Sequence, residues 1–380
     1  MARIICDADP FCYGPAATLL AVVKQLLHSG HSLTFIGTGT ALELARRQEG
    51  MAVMPCDTGS TADCLRAIKN LGGADLFLSV LGDASVRAAN ELEIPVAYID
   101  VLFWAWPSAQ ESHLRDADLY FVENDFEAEE KLNQIGAVIR NPILVGPIID
   151  TSYRGIEERN NDLLVTYGGV DSPSTRAGID TRYHLILTGL LFEALRSVNP
   201  FDQIWVAAGG RAIEDLTRYF GAGAAQFVSL SHDDFLRRLA TSRCLLTQPG
   251  LSTPLEAFAY ETPAFFIPPM NYTQVLQMRR FGAEGAAPYQ LSWDTLDPSH
   301  LIPEGLPEPS GIAEVLKCIS ILERNNEWRG RVRASISDFI SLPPSLLATV
   351  TAQQSSFFKA LGADGSSTVA AVINSFLIKV

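Results

Sequence analysis

The stretch from Cys244 to Gln277 constrains this chain more than any other. A short apolar run closing on Leu245 and Leu246 is broken by Pro249-Gly250, a dipeptide that marks a turn. Ser252 or Thr253 then offers a capping hydroxyl, and Pro254 suits the start of a helix, where its missing N–H costs nothing. Leu255, Phe258 and Ala259 share one face at i, i+3, i+4 spacing. Pro263 stops the helix, and Ala264 to Ile267 is short and apolar enough for a buried parallel strand before Pro268-Pro269. Strand, glycine turn, helix, strand is one repeat of an α/β sheet.

The same stretch carries chemistry. A helix start with glycine before it and hydroxyls on it is an anion site. Unpaired N–H groups and the positive end of the dipole face outward, and Gly250 lets a phosphate approach the backbone. Glu256 lies one turn in, where a carboxylate can accept hydrogen bonds from ribose hydroxyls. Diphosphate plus ribose means a nucleotide or a nucleotide-sugar. The plainer alternative is an ordinary α/β turn with a capped helix.

Gly250, Thr253, Glu256, Pro268, Gln274 and Gln277 fall in a pattern that resembles the donor segment of GT-B glycosyltransferases. It is similar to the peptidoglycan N-acetylglucosaminyltransferase and to the UDP-glycosyltransferase superfamily. The resemblance implies Ser252 and Thr253 at the donor diphosphate, Glu256 on the ribose, and Gln274 and Gln277 near the sugar hydroxyls. Many relatives carry an acid just before that first glutamine; here it is Thr273. It also implies two Rossmann-like doubly wound domains with a cleft between them. The expected division is an acceptor-binding domain over 1–150, a donor-binding domain over 151–345, and a helical segment over 346–380 returning to the first domain.

At 380 residues the length suits two ordinary domains. A net charge of −14 argues against nucleic acid as a partner. The six cysteines have no disulfide or metal spacing, and several sit in apolar runs, so they read as reduced thiols of a cytoplasmic protein. The chain enters a strand at once, and its apolar stretches are strand-sized or interrupted, so neither a signal peptide nor a membrane span is expected.

Arg3 to Cys6, a loop, the helix Ala16 to His28 and a strand over Leu33 to Ile36 open the first domain. Relatives often place a histidine base after the first strand; this chain has Tyr13-Gly14-Pro15. Asp7-Ala8-Asp9 and Asp116-Ala117-Asp118 formally match a metal-binding tripeptide of the other glycosyltransferase fold, yet such tripeptides are common in acidic chains, and no metal is expected. Asp9 lies at the carboxyl end of the first strand, which faces the ligand in open α/β sheets. It is a candidate general base, or a residue that shapes its own turn. Asp100, closing the strand from Ile94, is a second candidate base. Phe103, Trp104 and Trp106, followed by Pro107, form a candidate acceptor shelf or core packing. Tyr13 and Gly14 join the acceptor expectations.

The second domain opens with Leu163 to Tyr167 running into Gly168-Gly169 and Asp171-Ser172-Pro173. The resemblance places Gly168 and Gly169 near the donor phosphates, and the loop after Leu230 at the donor base. Arg211, after the strand Ile204 to Ala208, is a candidate phosphate cation. His232-Asp233-Asp234 reads as the cap of the next helix. The resemblance implies a metal-independent transferase with no cofactor and a nucleotide-sugar as co-substrate. The chain shows no basic, aromatic-edged helix for membrane docking, so a small soluble acceptor is expected, with a homodimer as the candidate assembly. The loop Phe11 to Pro15 also resembles that of cytosylglucuronate synthase-type enzymes. Two rival readings stand beside this one: a UDP-sugar epimerase of the same fold, and a non-catalytic nucleotide-sugar-binding subunit.

Overall fold

A computed structural model describes residues 1–106, 111–156, 158–170 and 182–379. Pro107 and the turn at Asp171-Ser172-Pro173 lie outside the described residues. The chain divides into two compact units, Met1–Ser152 with Lys359–Val380, and Tyr153–Phe358.

In the first unit the chain runs β1 (Arg3–Ala8), α1 (Gly14–His28), β2 (Ser32–Gly37), α2 (Gly39–Ala45), β3 (Ala52–Pro55), α3 (Thr61–Asn70) and β4 (Leu76–Val80). It continues through α4 (Ala84–Glu91), β5 (Val96–Asp100), α5 (Ser112–Arg115), β6 (Leu119–Glu123), α6 (Ala128–Ile135) and β7 (Pro142–Val145). The seven strands are parallel in the order β3-β2-β1-β4-β5-β6-β7. The order reverses between β1 and β4, and ligands of such sheets gather beyond the carboxyl ends at that point. Helices cover both faces, so the central strands are mostly apolar, and every residue of β4, β5 and β6 is buried. One register row is polar instead. Asp7 pairs with Ser79, Ser79 with Tyr98, and Tyr98 with Tyr120, all on one face.

The second unit runs β8 (Leu163–Gly168), α7 (Tyr183–Ser197), β9 (Ile204–Ala208), α8 (Gly210–Phe220), β10 (Gln226–Val228), α9 (His232–Thr241), β11 (Cys244–Thr247), α10 (Thr253–Ala259) and β12 (Ala264–Phe266). Then follow α11 (Tyr272–Ala283), α12 (Trp293–Leu296), α13 (Glu308–Arg324), α14 (Asn326–Ile340) and α15 (Pro344–Ala360). Its five strands are parallel in the order β10-β9-β8-β11-β12, reversing between β8 and β11.

The chain ends in α16 (Gly365–Lys379), which packs on α1, β6 and β7 of the first unit. The stretch Pro344–Lys379 is apolar enough in composition for a membrane span, but it is two helices of 17 and 15 residues, parted where Gly362 adopts φ +108°. Each is shorter than the about 20 residues a span requires.

Several elements differ from the sequence expectation. β3 and its flanking helices α2 and α3 have no counterpart in it. β10 ends at Val228, so Leu230 lies in the loop. The stretch from Val138 to Val145 reads as one strand, but β7 starts only at Pro142, after a 3-10 turn over Gly136–Val138.

Candidate functional site

The turn from β11 to α10 lies beside the point where the second sheet reverses. Gly250 N–H donates to the Gln248 carbonyl at 2.8 Å, which folds the turn tightly. A Cβ built on Gly250 would meet nothing within 4 Å, so the turn opens onto free space. Ser252 is the N-cap of α10 and is buried, but its hydroxyl makes no capping bond to the helix. Its carbonyl accepts Glu256 N–H at 2.9 Å. Thr253 is half-buried at the first helical position.

Glu256 is 1% exposed. Its Oε1 lies 2.7 Å from Nε2 of His232, itself only 9% exposed. His232 opens α9. Ser231 caps that helix by accepting Asp234 N–H at 3.1 Å while its own hydroxyl donates to Asp234 Oδ2 at 2.7 Å, a reciprocal arrangement that fixes the first turn. The sequence showed His232 only as part of a cap. Its contact with Glu256 spans 24 positions and leaves no periodic trace.

Gln274 and Gln277 lie on α11, which follows β12. Asn271 caps α11 by accepting Gln274 N–H at 2.9 Å. The Gln274 side chain turns back, accepting Met270 N–H at 2.8 Å and donating to Gln248 Oε1 at 3.3 Å. Gln274 therefore closes its own helix start and ties it to Gln248. Gln277 is buried too, and its Nε2 has no hydrogen-bond partner among the described residues.

Gly168 ends β8 with φ +58°, a conformation that favours glycine, and its carbonyl accepts Gly209 N–H at 2.9 Å. Gly169 follows, half-buried, and Val170 is also left-handed at φ +53°. Arg211 is exposed in the first turn of α8, and Leu230 is half-buried in the loop before α9. These residues all lie at or beyond the carboxyl ends of β8, β9 and β10: Gly168 closes β8, Arg211 opens the helix after β9, and Leu230 is on the loop after β10.

In the first unit, Asp9 follows β1 and donates its N–H to the Val80 carbonyl at 3.0 Å. The loop it enters is strained at Cys12, φ +54°, before Tyr13 and Gly14 begin α1, and strain of this kind gathers at functional sites. Asp7 is the unexpected residue. It is 1% exposed, and its Oδ1 has no hydrogen-bond partner among the described residues. Burial and the neighbouring Asp9 push its carboxyl up to about 7, against the opposing pull of the Ser79 and Ser85 hydroxyls.

Asp100 closes β5. It is fully buried and accepts Leu102 N–H at 3.0 Å, Trp106 Nε1–H at 3.0 Å and Tyr120 O–H at 2.6 Å. A carboxylate so bonded organises its loop. Phe103 and Trp104 take the core-packing alternative. Phe103 packs on Tyr120 under Lys131, and Trp104 packs edge-on against Phe126; both are core. Trp106 is half-buried with its N–H tied to Asp100. Among the described residues no group of three or more His, Cys, Asp or Glu is arranged to hold a metal ion.

No protein-family model and no curated protein matches the chain. Solved structures do. MurG of Acinetobacter baumannii superposes with a TM-score of 0.52 at 15% identity, covering 99% of this chain and 100% of that one. The glycotransferase of kitacinnamycin gives 0.57 at 13% identity, with 98% of each chain covered. Arabidopsis thaliana UGT89C1 complexed with UDP gives 0.54 at 12% identity over 99% of each. The chain has the GT-B fold. In GT-B terms the second sheet carries the Gly250-to-Glu256 turn, and the first carries the β1–α1 loop with Asp9.

Proposed function

We propose that the protein moves a sugar from a nucleotide-diphosphate sugar, UDP-linked, to a small soluble acceptor without a metal ion. The observation that carries this reading is the combination of a GT-B fold over the whole chain with a buried carboxylate, Glu256, one turn beyond the open turn at Gly250. Glu256 takes the ribose hydroxyls, while backbone N–H groups from Gly250 to Thr253 meet the diphosphate, with Gly168 and Gly169 alongside. Structures of UGT89C1 complexed with UDP, with UDP-L-rhamnose and with quercetin support a UDP-linked donor and a planar acceptor of natural-product type.

The chemistry is a displacement. An acceptor hydroxyl attacks the anomeric carbon as the bond from that carbon to the diphosphate oxygen breaks. The diphosphate leaves with the electron pair, and its charge is met by the N–H groups of the turn and by Arg211. Asp9 takes the acceptor's proton. Tyr13, Gly14 and Trp106 belong to the acceptor side. The six cysteines are free thiols, four of them buried, which suits the reducing cytoplasm.

The test is calorimetry with UDP-, TDP- and GDP-sugars, followed by product analysis with phenolic and nucleoside acceptors. Binding and a glycosylated product are expected. Binding alone would favour the non-catalytic subunit, and an isomerised sugar the epimerase. Glu256→Ala should weaken UDP about tenfold or more, the scale of a hydrogen bond to a charged group. An unchanged affinity would remove Glu256 from the site.

A further inference from the structure

The His232–Glu256 pair carries a consequence for which nucleotides are accepted. A carboxylate 1% exposed is costly unless it is paired. His232 is its one side-chain hydrogen-bond partner among the described residues, at 2.7 Å. The histidine is itself fixed. It sits in the first turn of a ten-residue helix whose start is locked by the reciprocal Ser231–Asp234 bonds. The adjacent Asp233 is engaged by the Tyr153 hydroxyl at 2.6 Å and by Arg237 at 3.3 Å.

We propose that His232 is a positioning residue that makes the site select ribonucleotides over 2′-deoxyribonucleotides. Nε2–H holds Oε1 of Glu256, so the carboxylate has one rotamer and one plane. The lone pairs left over are then aimed together, and two aimed acceptors match the two O–H donors of a 2′,3′-diol. A freely rotating carboxylate would bond either hydroxyl by turning and would discriminate weakly. A fixed one loses an aimed contact when the 2′-hydroxyl is missing. This inference rests on the reading of Glu256 as the ribose holder.

The experiment measures calorimetric affinities of the full chain for UDP and for 2′-deoxyuridine 5′-diphosphate. Wild type should prefer UDP by about tenfold or more, the value of one hydrogen bond to a charged acceptor. His232→Met keeps the volume and removes the donor. It should bring the two affinities to within about twofold, by weakening UDP and leaving the deoxy compound unchanged. His232→Gln keeps an N–H donor at similar reach and should restore the preference. Equal weakening of both nucleotides by His232→Met means a merely structural role and overturns the proposal. So does a preference left intact in a folded His232→Met protein. If that variant does not fold, His232→Gln and His232→Asn decide: glutamine reaches the carboxylate and asparagine, one methylene shorter, does not. Equal preferences in those two overturn the proposal. Glu256→Gln separates the failures. A wild-type preference that Glu256→Gln abolishes and His232→Met leaves intact removes the histidine alone. A wild type that binds neither nucleotide, or a preference untouched by Glu256→Gln, removes the ribose reading beneath it.

Discussion

Asp7 shows at a single position how a sheet designed for apolar contact accommodates a charge. Its carboxyl sits in the polar register row, beside Ser79 and under Gly82, where a Cβ would crowd the Ser79 and Ser85 hydroxyls and Asp7 itself. Burial moves its pKa from an ordinary 3.8 to about 7. The folded state therefore holds this proton more tightly than the unfolded chain does. Between pH 4 and pH 7 the unfolded state has lost the proton and the folded state has not, so stability falls as pH rises through that window and levels off above it. The shift corresponds to a loss on the order of 4 kcal/mol by neutral pH. Asp7→Asn keeps the shape and cannot ionise. The variant should be more stable than wild type at pH 8, and the gap should close toward pH 4.5. Denaturant midpoints across that range check it; a constant difference between the two proteins would show that Asp7 ionises normally in the folded state. Glu123 is also pushed up to about 7 by burial and contributes the same slope to both proteins, so the comparison isolates Asp7.

At the scale of elements, the edge of the second sheet is closed at Phe266 by the backbone of Tyr289 and Leu291, and at Ala264 by a side chain. β12 is the last strand in its sheet, and an unpaired edge exposes backbone donors and acceptors. Gln354, on α15, accepts Ala264 N–H at 3.0 Å and donates to the Ala264 carbonyl at 2.9 Å and the Ala286 carbonyl at 3.2 Å. Its amide pairs with the strand as a peptide group of a neighbouring strand would. Gln354→Leu keeps the bulk and leaves those groups unpaired, and should cost about 2–4 kcal/mol in an unfolding titration. A cost near zero would mean that water enters the edge. This contact also shows what a sequence can and cannot disclose. The β11–α10 stretch was legible because its signals are local: a Pro-Gly break, a hydroxyl at the N-cap, an apolar face at helical spacing. β3 was not, because Ala52 to Pro55 is only four residues long, ends in proline and lies at a sheet edge with exposed ends. The same limit applies to side chains. Nothing near Asp100 announces that Trp106 and Tyr120 will bond to it, and nothing near Gln274 announces Gln248. A carboxylate after a strand reads as a base until its distant neighbours are in place.

At the scale of the whole molecule, the chain leaves the first unit after Ser152 and returns to it at Lys359. The return is held by close backbone contact. A Cβ on Gly146 would run into the Ala363 carbonyl, one on Gly365 would run into Gly146, and Gly365 N–H donates to the Pro147 carbonyl at 2.9 Å. α16 then lies on α1 and buries Val369 and Ile373, each worth roughly 1.5–3 kcal/mol of burial. The donor stretch and the His232–Glu256 pair lie entirely within Tyr153–Phe358. These facts separate two properties that a truncation can distinguish. A chain ended at Phe358 loses α16 and uncovers an apolar face of α1, so the first unit should melt earlier and bind apolar dyes. UDP binding should persist within about threefold, because no group that receives the nucleotide has been removed. Calorimetric scanning with and without UDP would then show two transitions, of which the nucleotide raises only the upper. Loss of UDP affinity in a truncated protein whose second unit remains folded would place part of the donor site outside Tyr153–Phe358. A single unshifted transition would show that the first unit does not depend on α16.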